Sequence, residues 1–311
     1  MRLGRKLLSA ALGLALLSAA ADAAAFCLTH GCNDRKQNCE YDEHDCLQTG
    51  PLLHWASSCV SFDVQQDGSA LRDISYVDAH QAIVTGFKQW LNADCGAGVG
   101  PFITISDYGP VDCRKAEYNQ DAPNANIFMF RDDNWPYANA IDTLALTTLI
   151  FNADNGEIYD ADVEVNTAPP EKQPPGVPQP PPARWSTTDP GPTDIDFNSV
   201  ITHEIGHFLG LSHSDILGST MRPSYAAGQT AMASIEQDDV DGVCTALPPN
   251  RDVSSSDCDP RHGFSGDCAV SQNTCALSPG SPGSFGSLLL TALAFSSWRW
   301  RKKSRPAARR P

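Results

Sequence analysis

In the first half of the chain, the pattern of apolar and polar positions predicts a mixed α/β unit. The alternation in CVSFDV (59–64) is typical of a strand, whereas Ile83, Phe87 and Trp90 recur at helical spacing within the amphipathic segment 75–90. The same criteria predict four more strands, at 101–106, 125–130, 143–151 and 157–166. In the last of these, apolar and acidic residues alternate, which predicts that the acidic side chains face solvent.

A proline-rich segment interrupts this pattern. Residues 167–192 include ten prolines, and so dense a run of proline cannot form a helix or a central strand. We expect an exposed loop, partly in the polyproline II conformation, inserted within one domain. A linker between two domains is the alternative. The loop is preferred because residues downstream of it are needed to complete the upstream site.

Two helices are predicted after the loop. The first begins near Asp196 or Asn198 and includes the sequence HEIGHFLGL. The second spans 233–247, and a capping-box pattern formed by Ser234 and Gln237 marks its start.

The first 25 residues have the pattern of a secretory signal peptide. A basic start, MRLGRK, precedes an apolar run of small residues and two small-x-small cleavage sites, which end at Ala23 and Ala25. An N-terminal membrane anchor is the alternative, and the cleavage sites favour the signal peptide. The chain is therefore predicted to be exported, to the cell surface or to the extracellular medium.

The other end of the chain, 286–311, joins an apolar run of about a dozen residues to a cluster of arginine and lysine. The run is short for a bilayer span, which takes about 20 residues. The tail resembles the C-terminal sorting signals of bacterial surface proteins, especially the myxobacterial kind, which implies that it is removed after export. A permanent anchor is the alternative. Membrane contact is expected only through this tail, before processing.

Charge limits the partners of the remaining chain. The leader holds three basic residues and one acidic residue, and the tail from Arg299 holds seven basic residues. The remainder has 12 basic and 36 acidic residues, a net charge of −24. Nucleic acid repels such a body, so no nucleic-acid partner is predicted. Its carboxylates suit calcium binding.

All eleven cysteines follow the leader, which in an exported chain predicts disulfide bonds. Four of them lie in a polar segment, 26–50, that is too short for a core of its own. Three more lie in 248–285, which is predicted to be a cysteine-containing linker or stalk. The count is odd, so one cysteine is free or pairs elsewhere, and the spacing does not fix the connectivity.

The sequence HEIGHFLGLSH, 203–213, has the spacing of a metal centre. His203 and His207 lie four residues apart, so a helix presents both on one face, where two imidazoles can bind one zinc ion. Glu204 lies about 100° further around the helix. It can reach a water molecule at the metal and accept its proton, which predicts a general base rather than a ligand.

Two glycines and a third histidine complete this pattern. Gly206 keeps the helix slim for close packing, and Gly210 suits a helix end with positive φ. The chain can then turn so that His213 returns to the metal. Three protein ligands leave one position open, as in catalytic zinc sites. Buried core histidines are the alternative, but five positions fit H-E-x-x-H-x-x-G-x-x-H.

This motif resembles the metzincin signature, and HEIGHFLGLSHS is most similar to the matrixins, the matrix-metalloproteinase-like family. The sequence STMRPSY (219–225) resembles the family's Met-turn, which implies that Met221 lies beneath the zinc. IEQDDVDGV (235–243) resembles the helix that follows the Met-turn. TLALTTLIFNADNGEIYDADVEVN resembles the family's edge strand, turn and next strand. The resemblance covers about 51–247 and is strong from 197 onward.

The resemblance implies an α/β metzincin fold for 51–247: a twisted mixed sheet with one antiparallel edge strand, an active-site helix and a C-terminal helix. It also implies a zinc-dependent endopeptidase that acts on proteins or peptides. The zinc ligands would be His203, His207 and His213, with Glu204 as general base. The substrate would add as a strand along 143–151.

The chain departs from the family at a second metal site. It has no histidine between His80 and His203, so the structural zinc that many matrixins carry there is predicted to be absent. Acidic residues of the same region are candidates for calcium instead. They are Asp154, Glu157, Asp160, Asp162 and Glu164. A solvated strand face is the alternative for these residues.

Two classes of function are consistent with the sequence. The first is a secreted zinc metalloendopeptidase. The second is a surface adhesin or binding module that retains the metalloprotease fold without activity. Glu204 favours the enzyme, because an inactive descendant has little need of the general base.

Overall fold

The computed structural model describes residues 26–32, 38–169 and 184–268, and the backbone of 290–295 and 299–300. The predicted signal peptide, most of the proline-rich loop and most of the tail lie outside the described residues. The strands are β1 Cys59–Gln65, β2 Thr104–Val111, β3 Ile127–Phe130, β4 Ala145–Asn152, β5 Ile158–Val165, β6 Trp185–Ser186, β7 Ile195–Asp196, β8 Ser224–Tyr225, β9 Leu290–Phe295 and β10 Arg299–Trp300. The helices are α1 Tyr76–Leu91, α2 Phe197–Phe208 and α3 Gln237–Ala246, with a 3-10 turn at Ala231–Ala233.

The main sheet has the strand order β2-β1-β3-β5-β4-β9. β1 pairs in parallel with β2 and β3, and β3 pairs in parallel with β5. β4 is antiparallel to β5, with Thr147 opposite Val163, and β9 from the tail pairs antiparallel with the other edge of β4. Within 51–247 the sheet is therefore mostly parallel with one antiparallel edge strand, and the predicted fold class is confirmed.

Helices α1 and α2 pack on one face of this sheet. Their axes approach closely at Gly86, where a Cβ atom would lie 2.7 Å from Cδ1 of Ile205. The rings of Phe87, Phe128 and Phe208 meet between the two layers, with centroids 5.4 to 6.0 Å apart. The helical spacing of α1 thus identified the side that is buried, since Ile83, Phe87 and Trp90 are all at most 3% exposed.

The opposite face of the sheet is also covered, which the sequence did not indicate. Asp160, Asp162 and Glu164 of β5 are 1%, 1% and 0% exposed. The backbone N–H of Glu117 donates to Asp162, and Arg131 pairs with Glu164. The expectation that these acidic side chains face solvent is therefore wrong. Alternation distinguishes the two faces of a strand, but it does not show whether a second layer covers the polar face.

The described residues form five disulfides. They are Cys27–Cys46, Cys32–Cys39, Cys59–Cys258, Cys95–Cys244 and Cys113–Cys268. Two of them hold the described part of 248–285 against β1 and against the chain just after β2. Cys275, the eleventh cysteine, lies outside the described residues.

Three boundaries differ from the sequence prediction. β2 starts at Thr104 rather than near 101, and α3 starts after Glu236, whose capping-box partner is Asp239. Ser234 instead donates to the carbonyl of Ala231 in the preceding 3-10 turn, so the predicted Ser234–Gln237 box is wrong. The end of the proline-rich segment is not exposed throughout, because Trp185 is 6% exposed and β6 pairs with β7.

Within the described part of the chain, no helix is both long enough and apolar enough to span a membrane.

Candidate metal centre

Helix α2 holds the first two histidines in a fixed orientation. The carboxylate of Asp196 caps the helix by accepting from the N–H of Ser199 at 3.1 Å. Indole N–H groups bind two of its carbonyls: Trp90 donates to Thr202 and Trp55 donates to Phe208, each at 2.8 Å. These bonds limit rotation of the helix about its axis, so the face that carries the histidines is set by the surrounding core.

Gly206 allows the chain beneath the helix to approach. A Cβ atom at this position would lie 2.8 Å from Cζ2 of Trp90 and closer still to Sδ of Met221. Met221 is 1% exposed. The close packing predicted for Gly206 is therefore present, and its neighbour is the methionine of the predicted Met-turn.

Hydrogen bonds define the tautomers of His203 and His207. Nδ1 of His203 lies 2.7 Å from the carbonyl oxygen of Thr220, and Nδ1 of His207 lies 2.9 Å from that of Leu211. A carbonyl can only accept, so both Nδ1 atoms donate and each Nε2 is the ring nitrogen with a lone pair. Metal-binding histidines have this arrangement, because the bond at one nitrogen orients the other toward the metal.

Gly210 brings His213 back to the first two histidines. Its φ is +101°, and its N–H bonds to the carbonyl of His207 at 2.9 Å, which ends the helix. Nε2 of His213 lies 3.3 Å from Nε2 of His207. Two nitrogens bound tetrahedrally at about 2.0–2.1 Å from one zinc ion lie about 3.3 Å apart, so this spacing fits zinc.

The three histidines form a group that could hold a metal, with the ligand atoms all within 4.8 Å of one another. Burial lowers the pKa of His207 to about 4 and, with the neighbouring His207, that of His213 to about 3. Burial also lowers the pKa of His203 well below its usual range. All three imidazoles are therefore neutral at pH 7, which is the form that binds a metal.

Glu204 projects toward β4 rather than into the group of nitrogens. It is 2% exposed, and its Oε2 accepts from the hydroxyl of Thr147 at 2.6 Å. Burial raises the pKa of Glu204 to about 8, and the hydrogen bond from Thr147 opposes this shift. A carboxyl group with such a pKa can accept and release a proton near neutral pH.

Asp239 is a residue of the site that the sequence analysis did not single out. Its buried carboxylate accepts from the hydroxyl of Ser219 and from the N–H groups of Thr220 and Met221, at 2.6, 2.8 and 3.1 Å. Thr220 is the residue whose carbonyl binds His203. Asp239 therefore fixes both the Met-turn and the orientation of a histidine. The acidic residues at the start of α3 were the sequence feature that could have indicated this role.

Tyr225, the last residue of STMRPSY, bonds to the start of the histidine helix. It is fully buried, and its hydroxyl accepts from the N–H of Asp196 at 2.8 Å and donates to the carbonyl of Gln229 at 2.9 Å. Its hydroxyl therefore joins the start of α2 to the segment that follows the Met-turn.

The structure does not gather the five candidate calcium residues into one cluster. Asp160 and Asp162 lie together, and the pKa of each is raised well above its usual range by burial, with the other carboxylate contributing at Asp160. Glu164 is already paired with Arg131 and accepts from the hydroxyl of Tyr137. Asp154 is exposed, and Glu157 lines a cavity of about 350 Å³ beside 254–263.

The match to a known protein family falls on the part of the chain that carries the three-histidine group. Residues 117–246 match the model of the Matrixin family of peptidases. This match begins after β2 and ends with α3, so it covers the edge strand, the histidine helix and the Met-turn.

Shorter matches to individual proteins agree with this. The chain is 41% identical to human (Homo sapiens) neutrophil collagenase over 59 residues, which is 19% of this chain and 12% of the relative. It is 44% identical to metalloendoproteinase 1 of Glycine max over 57 residues, 18% of each chain. It is 39% identical to matrilysin of Rattus norvegicus over 56 residues, 18% of this chain and 21% of the relative. The chain thus spans about a fifth or less of each of these relatives.

Proposed function

We propose that the protein is a secreted zinc-dependent endopeptidase. The observation that carries the proposal is the group of three neutral imidazoles at zinc-compatible spacing, two buried and one half-buried, with the buried carboxylate of Glu204 beside the first. The similarity to collagenases and matrilysins supports peptide bonds as the substrate. The alternative, an inactive binding module of the same fold, is less well supported, because Glu204 retains both its position and its partner Thr147.

A zinc ion held by His203, His207 and His213 would supply a Lewis acid that acidifies water and polarises a peptide carbonyl. Glu204 accepts the proton of the attacking water at its carboxylate and then delivers it to the nitrogen of the leaving amine. The hydroxyl of Thr147 orients this carboxylate by its 2.6 Å hydrogen bond. We infer that the substrate lies along β4, as the resemblance implies, and the contact of Thr147 of β4 with Glu204 supports this path.

The outer edge of β4 offers a backbone on which an extended peptide can add as a strand. In the full chain this edge is paired with β9, from Thr147 opposite Phe295 to Asn152 opposite Leu290. β10 pairs in parallel with β8, which lies at the end of the Met-turn segment. The tail therefore occupies the path along β4 that we assign to the substrate.

This pairing changes the expected effect of removing the tail. From the sequence alone, deletion of 286–311 alters only the destination of the protein. With β9 on β4, we expect a chain that ends at residue 285 to have a lower KM for casein than the full chain, with equal zinc content. Steady-state kinetics on both purified forms measure this. Equal KM values would show that the tail does not compete with substrate.

Export is part of the same proposal. The leader has the pattern of a signal peptide, and the five disulfides suit an oxidising compartment. We infer that the mature protein is extracellular or attached to the cell surface, and that the tail is a sorting signal removed on the way. Intact-mass measurement on the protein from its native host tests both cleavages.

We also propose calcium as a structural ion, with Asp160 and Asp162 at the centre of its site and the other three candidates not required. Both oxygens of Asp160 are buried and without a hydrogen-bond donor. The adjacent carboxylate of Asp162 accepts from the N–H groups of Glu117 and Ile127, so it is Asp160 that needs a proton or a cation. A calcium ion supplies the positive charge and accepts oxygen ligands alone.

Calcium is therefore expected to raise the Tm of the zinc-loaded protein, whereas magnesium at the same concentration does so less. The pKa values of Asp160 and Asp162 are raised, so protons compete with the ion, and the increase in Tm should grow as the pH rises. Asp160→Asn should abolish the increase, and Asp154→Asn, at an exposed acid nearby, should not. A Tm that is independent of calcium at every pH would exclude the site.

A further inference from the structure

The segment that follows the leader lies against the loop that carries His213. We call residues 27–46, which the Cys27–Cys46 disulfide closes, the N-terminal loop. The N–H of Ser212 donates to the carbonyl of Cys27 at 2.8 Å, and the N–H of Thr29 donates to the carbonyl of Gly210 at 3.0 Å. Between these two bonds, Leu28 and Leu211 form an antiparallel bridge.

Leu211 connects this short pairing to the metal centre. Its carbonyl accepts from Nδ1 of His207 at 2.9 Å, and its N–H bonds to the carbonyl of Gly206 at 3.0 Å. Its side chain is fully buried. The N-terminal loop therefore supports the Leu211 peptide, which orients His207 and lies two residues before His213.

The N-terminal loop makes a second contact on the far side of His213. Nδ1 of His44 lies 3.1 Å from Oδ2 of Asp215. The loop thus touches the chain one residue before His213 and two residues after it. The segment 210–215 is also bonded to α2 near the helix end, and Ser214 bonds to Met221 and Asp238. The contacts of the N-terminal loop therefore add to these bonds and flank the third histidine on both sides.

The Cys27–Cys46 disulfide orders the N-terminal loop, so that the loop can support the segment that carries His213. The segment is polar and too short to fold around a core of its own, but Cys27 and Cys46 are 3% and 5% exposed and cross-linked. Without the cross-link, the ordering of the segment would cost conformational entropy with less constraint to offset it. The residues 27–29 that pair with 210–212 would then be held less firmly.

We propose that the N-terminal loop positions His213, so that the Cys27–Cys46 bond sets the zinc affinity of the three-histidine group. Cys27, Leu28 and Thr29 are positioning residues in this proposal, since they contact the loop that carries the histidine and not the metal. The inference rests on the proposed zinc site.

The test compares two pairs of substitutions in the full chain. Cys27→Ser with Cys46→Ser removes the disulfide that anchors residues 27–29, which pair with 210–212. Cys32→Ser with Cys39→Ser opens the other disulfide of the N-terminal loop and is the matched control. Zinc dissociation constants are measured by competition with a chelating dye. We expect the first pair to bind zinc about 10–100-fold more weakly, as when residues that orient a ligand are lost, and the control to match the wild type.

A double-mutant cycle separates positioning from general destabilisation. In a His213→Ala background, opening Cys27–Cys46 should cause a clearly smaller loss of zinc affinity, because only the part that acts through the Leu211 carbonyl and His207 remains. An equal loss in both backgrounds would overturn the proposal. Wild-type affinity in the first pair would overturn it as well and leave the proposed function standing, whereas a wild-type protein that binds no zinc would overturn the proposed function itself.

A milder variant keeps the test decisive if the opened chain does not fold. His44→Ala removes the contact with Asp215 and leaves the disulfide intact. We expect zinc to bind more weakly, by up to about fivefold, because the pair is partly exposed. His30→Ala is the control, since its ring bonds to Gly50 on the other side of the N-terminal loop. Identical affinities for the two variants would count against the proposal.

Discussion

Replacing Glu204 by alanine is expected to remove nearly all peptidase activity and to leave zinc binding intact. The three nitrogens remain in place, while the group that transfers the proton is gone. General acid–base catalysis of this kind contributes about 10²–10⁴-fold to the rate, so kcat should fall by that factor. The buried carboxylate is replaced by an apolar group, so the fold should persist. Turnover of casein and zinc per chain are measured on the same preparation.

Asp154→Ala is the matched control for Glu204→Ala. Asp154 is an exposed acid in the turn between β4 and β5, and its loss should change neither value. Undiminished turnover by the Glu204→Ala protein would rule out the proposed mechanism. Loss of zinc together with activity would instead assign Glu204 to the metal site itself.

Replacing His213 by alanine is expected to have the largest effect on the metal. Two nitrogens on one helix remain, and a site with two protein ligands binds zinc much more weakly than one with three. The loss of affinity should exceed the roughly 10–100-fold that follows the loss of an orienting residue. Metal analysis after dialysis should find far less than one zinc per chain, with activity lost in proportion.

His80→Ala is the control for this change, because His80 bonds to Asp107 at 2.6 Å and is not part of the three-histidine group. It should retain one zinc per chain. If the His213→Ala protein also retains one zinc per chain after dialysis, His213 is not the third ligand.

The grouping of the three histidines, with Glu204 beside the first, was predictable because the arrangement is local. The i, i+4 spacing of His203 and His207 fixes a common face, and Gly210 marks the end of the helix before the third histidine. Gly210 has positive φ in the structure, as that pattern requires. The strands and α1 were predictable for the same reason, since period and length are properties of consecutive residues.

The supporting contacts were not predictable, because their partners are distant in sequence. Thr147 lies 57 residues from the carboxylate that it orients, and the strand pattern of β4 gave no sign of this role. The burial of Asp160 and Asp162 depends on segments that cross the back of the sheet. Cysteine spacing left the disulfides open, since Cys59 and Cys258 are 199 residues apart.

Zinc titration of the metal-free protein, followed by hydrolysis of casein, tests whether the three histidines form a catalytic zinc site. We expect no hydrolysis without metal, and activity that rises in proportion to added zinc and levels off at one zinc per chain. The contradicting result is a protein that binds one zinc per chain at the three histidines and still cleaves neither casein nor gelatin. That result would favour a binding module with this fold and metal site but without peptidase activity.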